Sequence, residues 1–475
     1  MYLVRGACVL AAGTLGLAML AAGGASAPAA KAATTTATAT AGDSVIITPG
    51  VRRPQRESAG GPSTTAECEQ ALRIACYNPA QLQQAYGLNA LYSRGITGKG
   101  ATIVIVEPYG SPTIASDLRA FDRAESVPNP PSLRIIRPAG KVPRYNPGDP
   151  NMAGWAGETT LDVEYAHAIA PGAKILLVET PGGGQAGTVS LAQIITAEKY
   201  VIRHHLGDVI SQSFGATEQA IGSAAIRSLR SAYTAAYANH VTVLAASGDT
   251  GAAGLEANQQ SYYTHAVTSW PASDPLVTAV GGTQLNLDSS GNRNSADTVW
   301  NDTYSKDANQ LVNGTNGPNP LGTGGGKSVV FARPSYQSKV RGITGGHRGL
   351  PDISMSAACS GAVNLYQTFG GQPPGWYAAC GTSESSPLFA GIVALADQVA
   401  GHRLGLINPA LYRLASQHAP GLVSIRSGNN AVSFRQGGKK HTVRGYRARA
   451  GYSLATGVGT INAQLFVPEL ARAAR

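Results

Sequence analysis

The 475-residue chain is short of charge, with Asp, Glu, Lys and Arg making up 13% of it. That scarcity excludes a coiled coil or a disordered charged region, both of which depend on those residue types. Beyond residue 30 no apolar run is long enough to span a bilayer, and no segment repeats, which excludes a further membrane span and a solenoid. Cysteine is scarce as well: there are five, none in the short C-x-x-C spacing of a zinc site. Nine histidines are present, yet no His-Gly-Thr run occurs. His167 lies in EYAHAIAP, His204 and His205 close an amphipathic stretch, and His240 precedes an apolar run; none reads as a catalytic base. The formal charge of +10 comes from scattered residues, with one cluster, RQGGKKHTVRGYRAR (435–449). That cluster reads as a solvated face, so no nucleic-acid partner is expected.

What is present begins with Arg5, the apolar stretch ACVLAAGTLGLAMLAA and the small residues GGASAPAA. These predict a secretory signal peptide over residues 1–30, hence an extracellular protein with no membrane attachment after cleavage. Cys8 leaves with it. The four remaining cysteines, an even number in an exported chain, are expected to form two local disulfides, Cys68–Cys76 and Cys359–Cys380. Residues 31–66 read as low-complexity linker, and 67–475 as a single domain, expected to be monomeric. The Gly- and Asn-rich segment 301–326 reads as a long surface loop.

Apolar runs ATIVIVE (101–107), AKILLVE (173–179), GDVISQS (207–213) and VTVLAAS (241–247) alternate with helical patterns. The pattern predicts an α/β fold, a doubly wound, mostly parallel sheet with helices on both faces. Ligands in such sheets gather at the carboxyl ends of strands, here EPYG, SFG and SGDTG.

Three short motifs bear on chemistry. GTSESSP (381–387) precedes an apolar helical run. Alone it is an ordinary helix start, and it lacks the glycine two residues after the serine that a nucleophile elbow needs. In GETTLDVEYAHAIAPGAKI, Glu158 and Asp162 are four apart and share one face of a helix that opens near Glu158 and closes at Pro171. Such a pair is usually a solvated surface, but its neighbours Leu161, Val163, Ala166 and Ile169 are apolar or small. If buried, one carboxyl keeps its proton and the pair titrates as a unit. In AASGDTGA, Asp249 follows a buried strand; it either caps a turn or, protonated, donates to an oxyanion.

Taken together and in order, these strings resemble the sedolisin family, the serine-carboxyl peptidases of subtilisin-like fold. CYNPAQLQQAYGL, WPASDPLVTAVGGTQL, GTGGGKSVVFARPSYQ and RGLPDIS add to the resemblance, which runs from about Cys76 to the C-terminus. It implies that Ser383 is the nucleophile, Glu158 its general base, Asp162 the support of Glu158, and Asp249 the oxyanion acid. It also implies a protein or peptide substrate. Glu107 stands where subtilisin-like enzymes carry aspartate, near the cluster but without a catalytic role. A carboxylate base and a neutral oxyanion acid both point to activity in acid, roughly pH 3 to 5 from ordinary carboxyl values.

The chain departs from the family in three places. Only residues 31–66 separate signal and domain, so activation by removal of a large prodomain is not expected. The family's calcium positions are Ser424, Ile425, Gly451 and Ser453 here, two of them serine where aspartate is usual. Hydroxyls are poor ligands for a hard divalent ion, and Arg426 and Arg449 add positive charge, so no calcium is expected. Arginine contacts, with the Cys359–Cys380 bridge, would hold the region instead. Phe214 stands where tryptophan is common and removes an N–H donor. Three rival readings remain open: a degenerate exported binding scaffold, a histidine-dependent subtilisin-like protease, and an esterase.

Overall fold

The four apolar runs form the middle of one sheet in a computed structural model that describes residues 55–58, 60–182 and 190–474. The expected signal peptide lies outside these residues, as does most of the expected linker. Strands β1 (Thr102–Pro108), β2 (Leu133–Ile136), β3 (Lys174–Thr180), β4 (Val209–Gln212), β5 (Thr242–Ala246), β6 (Thr278–Gln284), β7 (Thr298–Val299) and β8 (Ile353–Ser356) build it. The order is β7-β6-β5-β4-β1-β3-β2, with β8 also paired to β6. All pairings are parallel except β6 with β7.

Side chains on β1 alternate between two apolar layers, as a strand's period of two requires. Ile103 and Ile105 join one core with Leu161, Leu388 and Ile392, whereas Val104 and Val106 join another with Ile194, Val201 and Tyr233. The first layer is built on helices α1 (Pro150–Ile169) and α3 (Thr382–Ala400), the second on α2 (Leu191–Arg203) and Ser231–Ala238. The expected doubly wound architecture is therefore the one observed.

Helix α1 starts earlier than expected. Asp149 accepts from the backbone N–H groups of Asn151 and Met152, Pro150 occupies the first turn, and the helix runs to Ile169. Every residue from Trp155 to Ile169 is buried. Helix α3 crosses it at Gly391, where a Cβ would lie 2.6 Å from the Cβ and Cγ2 of Ile169, so only glycine lets the two helices approach this closely.

Both expected disulfides are formed. The strand Gly375–Ala379 runs directly into Cys380 and the start of α3, so the Cys359–Cys380 bridge ties down the approach to Ser383. On its other side that strand pairs with Gln55–Ser58, a short edge strand inside the stretch read as linker. The segment read as a surface loop, 301–326, contains a helix at Lys306–Asn313 that packs Ala308, Leu311 and Val312 into a small core around Trp300.

Candidate active site

Glu158 and Asp162 lie on α1, and both are 0% exposed. The solvated-face reading of the pair is thereby excluded. The strand alternation that buries Ile103 and Ile105 aims Glu107, next on the same face of β1, at α1. Glu107 is also 0% exposed. Burial holds its carboxyl well above the usual range, and the charges of Asp162 and Glu158 and a hydrogen bond with Asp162 raise it further. The Asp162 carboxyl is pushed up to about 8 by burial, against the opposing effect of Ser213 and Glu107. No cation among the described residues acts on Glu107 or Asp162. Burial therefore favours the protonated forms of Glu107 and Asp162.

Ser213 joins the cluster to the helix that carries the serine. Its hydroxyl reaches the carbonyl of Ser383 at 3.4 Å and lies against Asp162, favouring that carboxyl's charged form. Two residues earlier on the same face, the Ser211 hydroxyl sits 2.9 Å from that of Ser386. These contacts clamp the first turn of α3 to the end of β4.

Ser383 is in that first turn, where backbone N–H groups have no intrahelical partner and the helix dipole favours negative charge. One of those N–H groups, that of Thr382, donates to Asp249 Oδ1 at 2.7 Å, and the Thr382 hydroxyl donates to the same oxygen at 2.7 Å. The backbone N–H of Gly248 in turn donates to the Thr382 hydroxyl at 3.1 Å. Gly381 enters the helix at φ 125°, and a Cβ there would lie 2.6 Å from Asp249 Oδ2. Glycine is needed at 381 both for that backbone conformation and for the approach of Asp249. Ser383, Thr382 and Asp249 line one cavity of about 90 Å³, walled also by Phe214, Thr250 and Leu255.

The four residues singled out in the sequence thus fall in two neighbouring parts. Ser383 and Asp249 face a common cavity, and Glu158 and Asp162 belong to the carboxyl cluster behind it. Two contributors were not singled out. Thr382 holds Asp249, a role signalled only by its place in the GTS string. Ser213 couples helix and cluster; its signal was its place at a strand's carboxyl end. Glu107 stands out in the sequence, but its burial between Asp162 and Glu158 comes only from the fold. Among the histidines, His167 is fully buried with Nε2 2.8 Å from the Pro128 carbonyl and 3.3 Å from Asp122, a structural setting.

At the positions expected to have lost calcium, the serine hydroxyls bond to their neighbours. Ser424 Oγ accepts from Gly451 N, and Ser453 Oγ accepts from Thr456 N while pairing with the Thr456 hydroxyl. No group of three or more His, Cys, Asp or Glu among the described residues is placed to hold a metal. The expected arginine contacts are not what holds this region: Arg426 and Arg449 are exposed, and the Ser453–Gly457 turn and the pairing of Leu422–Val423 with Thr460–Ile461 take that role. Solvated guanidinium groups lose little by staying in water, which is why they do not fold inward.

A family model described as the subtilase family matches residues 150–438. Kumamolisin of Bacillus sp. (strain MN-32) is 31% identical over 397 residues, covering 82% of this chain and 63% of that protein. Sedolisin of Pseudomonas sp. (strain 101) is 31% identical over 392 residues, covering 81% and 60% respectively. Tripeptidyl-peptidase 1 of Rattus norvegicus is 27% identical over 402 residues, covering 81% and 62%. The chain therefore spans less than two thirds of the length of these relatives. A solved structure of a Pseudomonas sedolisin, described as a serine-carboxyl proteinase complexed with two molecules of pseudo-iodotyrostatin, superposes with a TM-score of 0.67 at 28% identity. That match covers 83% of this chain and 97% of the solved one. Among the described residues no helix is long and apolar enough to cross a membrane.

Proposed function

The chain belongs to the subtilase family, and from that premise we propose that it is a secreted, monomeric serine-carboxyl peptidase that hydrolyses peptide bonds in acid. Ser383 Oγ attacks the scissile carbonyl while Glu158, steadied by Asp162, accepts its proton. The oxyanion is met by the backbone N–H of Ser383 and by the protonated carboxyl of Asp249. Because Oδ1 of Asp249 receives both Thr382 donors, the proton that Asp249 donates sits on Oδ2. Glu158 then protonates the leaving amine, and water releases the acyl group by the reverse steps. The protein works without calcium.

The observation that supports this reading is the buried carboxyl cluster of Glu107, Glu158 and Asp162 close to the Ser383–Asp249 cavity, which no histidine among the described residues lines. Acid is required by the oxyanion side, where Asp249 must hold a proton to donate, while Glu158 must be the member of the cluster that gives its proton up. Peptide-library digestion from about pH 2 to 8, with Ser383→Ala and Glu158→Gln in parallel, is the test. Cleavage should peak below about pH 5 and fall by about a thousandfold or more in both variants. A peak above about pH 7, or full activity in Glu158→Gln, overturns the assignment.

A further inference from the structure

The carboxyl cluster has a second hollow beside it. Two elements lead there: β1 continues past Glu107 to Tyr109 and Gly110, and α1 runs back from Glu158 to Met152. Six residues of helix place this hollow about 9 Å from Glu158 along α1. It is a cavity of about 610 Å³ lined by Tyr109, Arg137, Lys141, Arg144, Tyr145 and Met152.

Its charge leans positive. Glu179, at the end of β3, is buried and pairs with Arg137 at 2.5 Å. Asp149, the other nearby acid, caps α1, and its charge also acts on the phenols of Tyr109 and Tyr145, so three cations stand against two acids here. Lys141 and Arg144 also line the cavity, are exposed, and have no ion-pair partner among the described residues. Ser111 lines it too, 3% exposed, and its hydroxyl has no hydrogen-bond partner among the described residues. The aromatic walls are fixed. The phenol of Tyr145 donates to the Gly370 carbonyl at 2.6 Å, and a side chain at Gly182 would overlap the phenol of Tyr109.

A shaped hollow with two unanswered cations and an unanswered hydroxyl calls for an anionic group that accepts hydrogen bonds. An extended peptide advances about 3.3 Å per residue, so 9 Å corresponds to about three residues. We infer that this cavity is a specificity subsite for an aspartate or glutamate of the substrate, about three residues from the scissile bond. The inference rests on the peptidase reading for the meaning of that bond, but the binding it requires does not depend on turnover.

The test uses the full-length Ser383→Ala protein and fluorescent peptides in which Glu, Ala or Lys is moved one position at a time. Binding is read by anisotropy at about pH 5.5, where a glutamate side chain is ionised. Glutamate at one position should bind about fivefold more tightly than alanine, with lysine weaker than both, as expected for partly exposed ion pairs. In the Lys141→Ala/Arg144→Ala double variant the difference between glutamate and alanine peptides should vanish. A flat scan, or a glutamate preference that survives the double variant, overturns the subsite. Cleavage by the unsubstituted protein, mapped in parallel, locates the preferred position relative to the bond. A protein that cleaves nothing refutes the peptidase reading, whereas the binding scan still decides the subsite.

Discussion

Two buried regions of this molecule treat carboxyl groups in opposite ways. Asp352, 0% exposed, is gripped by an equally buried Arg348, with Nη1 2.7 Å from Oδ1 and Nη2 2.5 Å from Oδ2. The Tyr412 hydroxyl and the backbone N–H of Ala279 complete its bonds at 2.9 and 2.8 Å. Around Glu107 and Asp162, equally buried, there is no such cation among the described residues. Glu384, next to Ser383, repeats the pattern: burial holds its carboxyl well above the usual range, with only Ser356 opposing. At Asp352, then, an arginine and two further donors answer the carboxyl group. Around Glu107 and Asp162, burial and mutual repulsion instead favour the protonated forms, a setting shared by candidate acid–base sites.

The widest break in that comparison is kinetic. Asp162→Asn should lower peptide cleavage by about a hundredfold or more while leaving the melting temperature at neutral pH unchanged or higher, because the replaced acid resists ionisation there. Equal loss of stability and activity would mean that the cluster is structural, like its counterpart. Next comes Arg348→Met, which strands a buried carboxylate. Urea unfolding should show a loss of about 3–5 kcal/mol, and a loss under about 1 kcal/mol would remove the contrast between the regions.

A pH titration of stability sharpens the comparison further. Burial pushes Asp162 and Glu198 up to about 8 and Glu125 to about 7. Their unfolded values lie near 4, so over the interval from about 4 to 8 the folded protein binds more protons than the unfolded chain. Stability should be full below about pH 4 and decline as pH rises through that interval, with a shallower slope in Asp162→Asn. Stability rising over the same interval would contradict the raised values. The smallest expected effect is none: a calcium chelator should leave the melting curve in place, since the hydroxyls at Ser424 and Ser453 are engaged with the backbone. A fall of several degrees would show that this region depends on a divalent ion after all.

Much of this was legible in the chain. The four apolar runs became β1, β3, β4 and β5 within two residues at either end, because continuous apolar strands between helices have few other ways to be buried. The disulfides were legible from parity and local spacing. The start of α1 was not, since Asp149 and Pro150 lie in a polar stretch that only the cap geometry organises. Nor was the stretch from Ala220 to His240 legible as broken: it reads as one helical pattern, yet Gly222 at φ 84° and Arg230 divide it into Glu218–Ile221, Ser223–Leu229 and Ser231–Ala238. The grip of Arg348 on Asp352 was also invisible. A spacing of four suggests a helix, but here the residues flank the turn between His347–Leu350 and β8.

By itself the sequence determined which side chains are available and how they alternate: apolar runs with a period of two, an ExxxD pair among small residues, a glycine where α3 begins. Those features follow from local chemistry, in which each residue's neighbours along the chain set its options. Only tertiary structure decided that Glu107 shares a buried cluster with Asp162, that Thr382 holds Asp249, and that two cations with no ion-pair partner among the described residues line a cavity with Met152. Protonation and charge complementarity depend on what surrounds a group in space, and at these positions the neighbours come from strands and helices far apart in the chain.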